Sequence, residues 1–305
     1  MKKILFATTA LVATAGVAQA EIALSGSAEM GIVGGDIYAN TQFWTDVDVT
    51  FTMTGEADNG LTFGAVVDLD ENGAFAGTTQ GGETIHIAYG AAKLTMGDTD
   101  GAFDAALTEV GIGGSIADDH TAHVGYNGNA GLDGFYDGQI ATFSYAFNDF
   151  TAYLSAEVDD FGVGDPVWGL GFKYSGDLGG LTLGVGLGYQ TTDFLGTDVS
   201  IVGLSLDTTF GNGLQAIINY SSLEAGGTNV WDHWALGLGY SMNALTIGAN
   251  YGVYDYGGGF EDTGFGLAVD YDLGGGLEVQ FGYGSSNPAI GADFDSYSLG
   301  LAMSF

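Results

Sequence analysis

The chain has 305 residues, with 38 Asp and Glu against 4 Lys and no Arg, a formal charge of −34, 55 glycines and no cysteine. That charge excludes nucleic acid and anionic membrane surfaces as partners, and the lack of cysteine excludes disulfides and thiol chemistry. Hydrophobic residues make up 46%, too many for an acidic disordered chain.

Lys2 and Lys3, the apolar run Ile4 to Val17 and the small-x-small triplet Ala18-Gln19-Ala20 predict a secretory signal peptide over 1–20, with the mature chain beginning at Glu21. No later stretch is apolar for about 20 residues, which excludes a transmembrane helix. From Glu21 the pattern has period two. Ile22, Leu24, Gly26, Ala28, Met30 and Ile32 share one face, and Ser25, Ser27 and Glu29 the other. Phe43 to Met53 and Leu61 to Leu69 continue the alternation, with Asp46, Asp48, Asp68 and Asp70 on the polar parity. Each run is long enough to cross a bilayer as a tilted strand. Short strands follow at Glu83–Gly90 and Ala92–Gly97.

The rhythm then stops from Asp98 to Gly138, several times the usual connection length. This stretch carries Asp98, Asp100, Asp104, Glu109, Asp118, Asp119, Asp133 and Asp137 and has neither Lys nor Arg. Alternation resumes at Gln139–Phe147 and continues through Asp295–Phe305, for a total of about sixteen strands, an even number as closure of a membrane barrel requires. Connections after even strands are mostly tight, such as Gly90-Ala91, Asn148-Asp149 and Asn243-Ala244, with residues suited to positive φ. Those after odd strands are mostly longer, such as Asp70–Gly82, Asp159–Pro166, Leu223–Val230, Asp255–Thr263 and Ser285–Phe294. Tyr89, Phe147, Phe150, Tyr174, Phe210, Tyr240, Tyr271 and Phe305 keep the apolar parity beside the tight turns, as an interfacial aromatic rim does. The fold expected is all-β: a transmembrane antiparallel β-barrel of about 16 strands, with the third loop, 98–138, folded inward. Residues 21–305 form one barrel domain in this reading.

Ala92-Lys93-Leu94-Thr95-Met96-Gly97-Asp98, followed by Gly101-Ala102, resembles the end of strand five and the start of loop three in general porins of Gram-negative outer membranes, most of all those of photosynthetic alphaproteobacteria. Leu24-Ser25-Gly26, Phe51-Thr52-Met53-Thr54-Gly55 and Gly60-Leu61-Thr62-Phe63-Gly64 are similar to that family's first strands, and the terminal Phe305 resembles its closing aromatic, the signal read by the barrel-assembly machinery. The resemblance implies an outer-membrane homotrimer in lipid. It also implies an eyelet in which acidic residues of the third loop face a basic, Arg-rich wall. This chain departs from that pattern because it has no Arg.

The function expected is a water-filled channel for passive diffusion of small hydrophilic solutes and ions, selective for cations, with no catalysis and no cofactor beyond calcium on its acidic loops. Asp98, Asp100, Asp104 and Glu109, with Lys93 and Lys173, are the candidate constriction residues. Glu29, Asp46, Asp48, Asp68, Glu157, Asp207, Asp270 and Glu278 form a lumen acidic wall by parity. Calcium has two weak candidate sites, Asp68 with Asp70 and Asp118 with Asp119; the first opens like a calcium loop but has Thr79 where that motif needs Glu. His120 and His123 have metal-ligand types, with a pair of solvated imidazoles as the plain alternative. Gly184, Gly186 and Gly188 mimic a dinucleotide fingerprint, but no helix follows them. Two other readings are a solute-specific channel, separable by saturable block, and a secreted acidic calcium-binding β protein, separable by cell fractionation.

Overall fold

The computed structural model describes residues 20–70, 79–118 and 122–305; the expected signal segment lies outside these, except for Ala20. Sixteen strands form: β1 (Glu21–Gly35), β2 (Gln42–Glu56), β3 (Thr62–Asp70), β4 (Thr79–Tyr89), β5 (Ala92–Gly97), β6 (Ile140–Phe147), β7 (Phe150–Glu157) and β8 (Val167–Asp177) make the first half. The second half is β9 (Leu181–Phe194), β10 (Thr197–Phe210), β11 (Leu214–Ala225), β12 (Thr228–Met242), β13 (Leu245–Asp255), β14 (Glu261–Gly274), β15 (Leu277–Asn287) and β16 (Phe294–Ser304). Every neighbouring pair is antiparallel, and β1 pairs with β16 to close the barrel. Phe305 completes the seam: its N–H donates to the Gly26 carbonyl at 2.9 Å. Closure leaves no free sheet edge, the condition for a sheet to sit in lipid.

The alternation sorts side chains as a barrel in lipid requires. Ile22, Leu24 and Met30 are exposed on the outer face, while Val33 of the opposite parity is buried inside. Tyr89, Phe147, Phe150, Phe210, Tyr240, Tyr271 and Phe305 are exposed beside the tight turns. A second set of outward aromatics, Trp168, Tyr189, Tyr220, Trp234, Tyr251 and Phe265, lies nearer the opposite ends of their strands. Leu236 and Leu238, between Trp234 and Tyr240, show the apolar band that the two aromatic belts bound.

Two connections after odd strands are tight: β9 and β10 meet at Leu195-Gly196, both with positive φ (56° and 81°), and a second pair does the same. Leu223–Val230 is not a long loop: β11 and β12 continue to a tight turn at Gly226-Gly227, both with positive φ (57° and 72°). Two consecutive glycines allow a two-residue hairpin here, so strand pairing extends past the expected ends. Residues 71–78, in the expected Asp70–Gly82 loop, lie outside the described residues.

The register carries a direct test. In β5, Lys93 shares its parity with Thr95, and His86 feels the Lys93 charge from β4, whereas Met96 is exposed on the outer face. A one-residue slip would put lysine into lipid at a cost of about 2–4 kcal/mol. Cysteine at position 93 is therefore expected to react with a membrane-impermeant maleimide, and cysteine at 94 is expected to stay unreactive. The reverse pattern would refute the register.

Candidate functional site

The 98–138 loop does not project from the barrel. It runs round the inner wall and back. Asp98 is held at β4 by its N–H to the Glu83 carbonyl, 2.9 Å. The Asp100 carbonyl accepts the Thr142 hydroxyl of β6 at 2.7 Å, and a short helix, α1 (Ala102–Ala106), begins where the Ala102 N–H meets Ser155 Oγ of β7 at 2.8 Å. Thr108 reaches β10, its N–H donating to Ser205 and its hydroxyl to Asp207 at 3.0 Å. The Gly114 N–H donates to Asp270 of β14 at 2.8 Å, and the Ala117 N–H to Glu29 of β1 at 3.0 Å. The return leg binds Ser286 through Val124, Asn250 through His123 (2.6 Å), and Glu157 through the N–H groups of Tyr136 and Gly138.

Why the loop lies so flat follows from the wall's glycines. A methyl group on Gly171, Gly186, Gly237 or Gly248 would collide with the carbonyl oxygen of Ala102, Ala106, Val110 or Ile112, respectively. Phe103, fully buried, sits over Gly188 and Gly203, and Ile116 over Gly31 and Gly300. Gly186 and Gly188 thus make room for a chain laid across the strand, and Gly184 for the Asp207 carboxylate, which neither the nucleotide fingerprint nor the β pattern alone predicts.

The candidate acidic wall therefore divides into two groups. Glu29, Glu157, Asp207 and Asp270 are occupied in holding the loop's N–H and hydroxyl groups, and Glu278 accepts from Gln280 at 3.3 Å. Among the described residues the loop's hydrogen bonds to the wall fall outside β2 and β3, and these strands carry the others. Asp46, Asp48 and Asp70 bring carboxylate oxygens within 4.8 Å of one another, while Asp68 accepts the Thr50 hydroxyl at 2.8 Å. The candidate calcium pair Asp68 and Asp70 is thus split between two settings. Of the other pair, Asp119 and the side chain of Asp118 lie outside the described residues, as does His120. His123 is not a solvated imidazole: it is 5% exposed and packs edge-on against Tyr126.

On the loop, Asp104 sits near Asp100, Asp133 and Glu109, with Lys173 the nearby cation. Burial, reinforced by those three carboxylates and opposed by Lys173, pushes Asp104 up to about 7. Burial likewise raises Asp133 to about 6, against the N–H of Gly101 and the amide of Gln190 that donate to it. Glu109, exposed, accepts the Tyr126 hydroxyl. Lys93 and Lys173 stand on different parts of the wall, strands β5 and β8, so they do not form one basic cluster. The anchors Ser155, Gln190, Asn219, Asn250 and Ser286 were not singled out in the sequence; their signal is polar or amide side chains at lumen parity in strands β7 to β15.

Protonation acts oppositely on the two legs. A carboxyl with a raised docked pKa binds its proton better docked than free, so docking of 100–106 strengthens as pH falls through about 7. Burial depresses His123, despite its Asn250 bond, so docking of 122–129 weakens as pH drops below the ordinary imidazole value of about 6.5. Hydrogen exchange corrected for its intrinsic pH dependence is expected to show, from pH 7.5 to 5, more protection around Asp104 and less around Gly125. Changes of the same sign in both segments would contradict this.

A closed barrel with an apolar outer wall, aromatic belts and a polar interior narrowed by a pinned loop defines a transmembrane diffusion channel. The chain matches the Gram-negative porin family over residues 7–288 and belongs to that family. It is 29% identical to the porin of Rhodobacter capsulatus over 288 residues, 85% of this chain and 92% of that one. It is 28% identical to the porin of Fuscovulum blasticum over 279 residues, 81% and 89% of the two chains. A triple mutant of Rhodopseudomonas blastica porin shares the fold, with a TM-score of 0.70 at 23% identity over 93% of this chain and 100% of that one. The protein is thus a general, non-enzymatic porin of the Gram-negative outer membrane.

Proposed function

We propose that this porin passes small hydrophilic solutes by passive diffusion and favours cations. The observation carrying this reading is that carboxylates stand both on β2 and β3 and along the 98–138 loop. Asp46, Asp48, Asp68 and Asp70 are those of the strands, and Asp98, Asp100, Asp104 and Glu109 those of the loop. With no Arg in the chain, the wall that is basic in the family at large is acidic here, and the field across the opening becomes a field along the axis. Lys93 and Lys173 offset only part of it. Small outward residues on β1, Gly26 and Ala28, suit close packing of neighbouring barrels in a trimer. The test is salt dependence. The potassium-to-chloride permeability ratio should fall as screening shortens from about 10 Å at 0.1 M to about 3 Å at 1 M salt. A ratio independent of salt would sink the reading, because size exclusion alone has no such dependence.

A further inference from the structure

At the long-loop rim, the return leg of the 98–138 loop meets two neighbours. Phe135 packs edge-to-face on Tyr136, with ring centroids 5.2 Å apart, and on Phe194 at the tip of β9, at 5.6 Å. The segment after β7 folds over these rings. Its frame is Asp159, whose carboxylate accepts the N–H groups of Phe161, Val163 and Gly164 at 2.8, 2.7 and 2.9 Å, while Gly164 bridges to Phe194. These bonds hold the Asp159 carboxyl below its usual range, so it stays ionised as part of the loop's own scaffold.

The fold leaves a cavity of about 520 Å³ between these segments, the size of a small-molecule pocket. Its lining is aromatic, and one of the lining residues, Phe161, is 90% exposed. Asp160 and Asp137 stand side by side at the same opening, and Asp137 raises the Asp160 carboxyl by like-charge repulsion. Asp137 accepts the Gln139 N–H at 3.0 Å where the loop rejoins the wall, and among the described residues no loop-to-wall hydrogen bond falls on Asp160 or Phe161. Ring faces attract cations, and two adjacent carboxylates reward a ligand that brings one positive charge. A neutral ring would fill the apolar part and leave the repulsion in place; an anion would add to it.

We propose that this cavity binds an amphipathic organic cation, its apolar body among Phe135, Tyr136, Phe161 and Phe194 and its charge against Asp137 and Asp160.

Calorimetric titration of the full-length protein in neutral detergent tests this, with benzyltrimethylammonium as the cation and benzyl alcohol as the neutral counterpart. The cation is expected to bind about tenfold tighter than the alcohol or better, Phe161→Ser to weaken it by about tenfold, and the Asp137→Asn, Asp160→Asn double variant to erase the preference. Absence of cation binding by the unsubstituted protein, or equal binding of the alcohol, overturns the proposal without reference to any variant. Unchanged cation binding in either variant, with the barrel's circular dichroism intact, overturns it as well.

Discussion

Replacing Asp46, Asp48 and Asp70 together by lysine is expected to turn the channel from cation-preferring to anion-preferring. The three carboxylates stand within 4.8 Å of one another on β2 and β3. An ion passing about 4 Å from one unit charge feels about 1 kcal/mol in water and about 4 kcal/mol at the lower effective dielectric near a protein surface. Three such charges reversed in sign exceed the about 1.4 kcal/mol that a tenfold change in permeability ratio requires. The triple asparagine variant should fall between the two. Zero-current potentials measured for the three proteins check the order. An unchanged sign in the lysine variant would mean that ions do not pass along β2 and β3.

Alanine at Gly171, Gly186, Gly237 and Gly248 should cut single-channel conductance by about half or more while the barrel survives. Each new methyl group meets a backbone carbonyl of the loop, not a flexible side chain. The strands are held by ladders on both sides, so the loop must be the part that moves, inward. Overpacking costs about 1–3 kcal/mol per site, which the many loop-to-wall bonds can absorb. Conductance equal to that of the unsubstituted channel would show that the loop is not fixed by these contacts.

Strand number, parity and the tight turns at Asn148 and Asn243 were legible because they are local: period two reports which face meets lipid, and an Asn or Gly in a short gap reports positive φ. The loop's path was not legible. Its partners are Asp270, Glu29 and Asn250, far away in the chain, and a lumen-facing glycine reads alike whether a loop or only water fills the space above it. For the same reason parity put Glu29, Glu157, Asp207 and Asp270 on the lumen side but could not tell an anchoring carboxylate from one facing open water. His123 looked solvated because it stands in a long acidic loop, a few residues after Asp118 and Asp119; its burial comes from Tyr126, Asn250 and the space at Gly264. The hairpin at Gly226-Gly227 was missed because polar residues flank it, and tertiary pairing outweighed that local signal.

The sign of the zero-current potential bears most directly on the central claim. With the protein in a planar bilayer between about 0.1 M and 0.01 M potassium chloride at neutral pH, screening lengths of about 10–30 Å leave the acidic field intact across the opening. The account predicts the potential of a potassium-preferring pore, with the dilute side positive. A potential of the opposite sign would contradict it, because carboxylates on both the β2 and β3 wall and the loop could not then border the path of the ions.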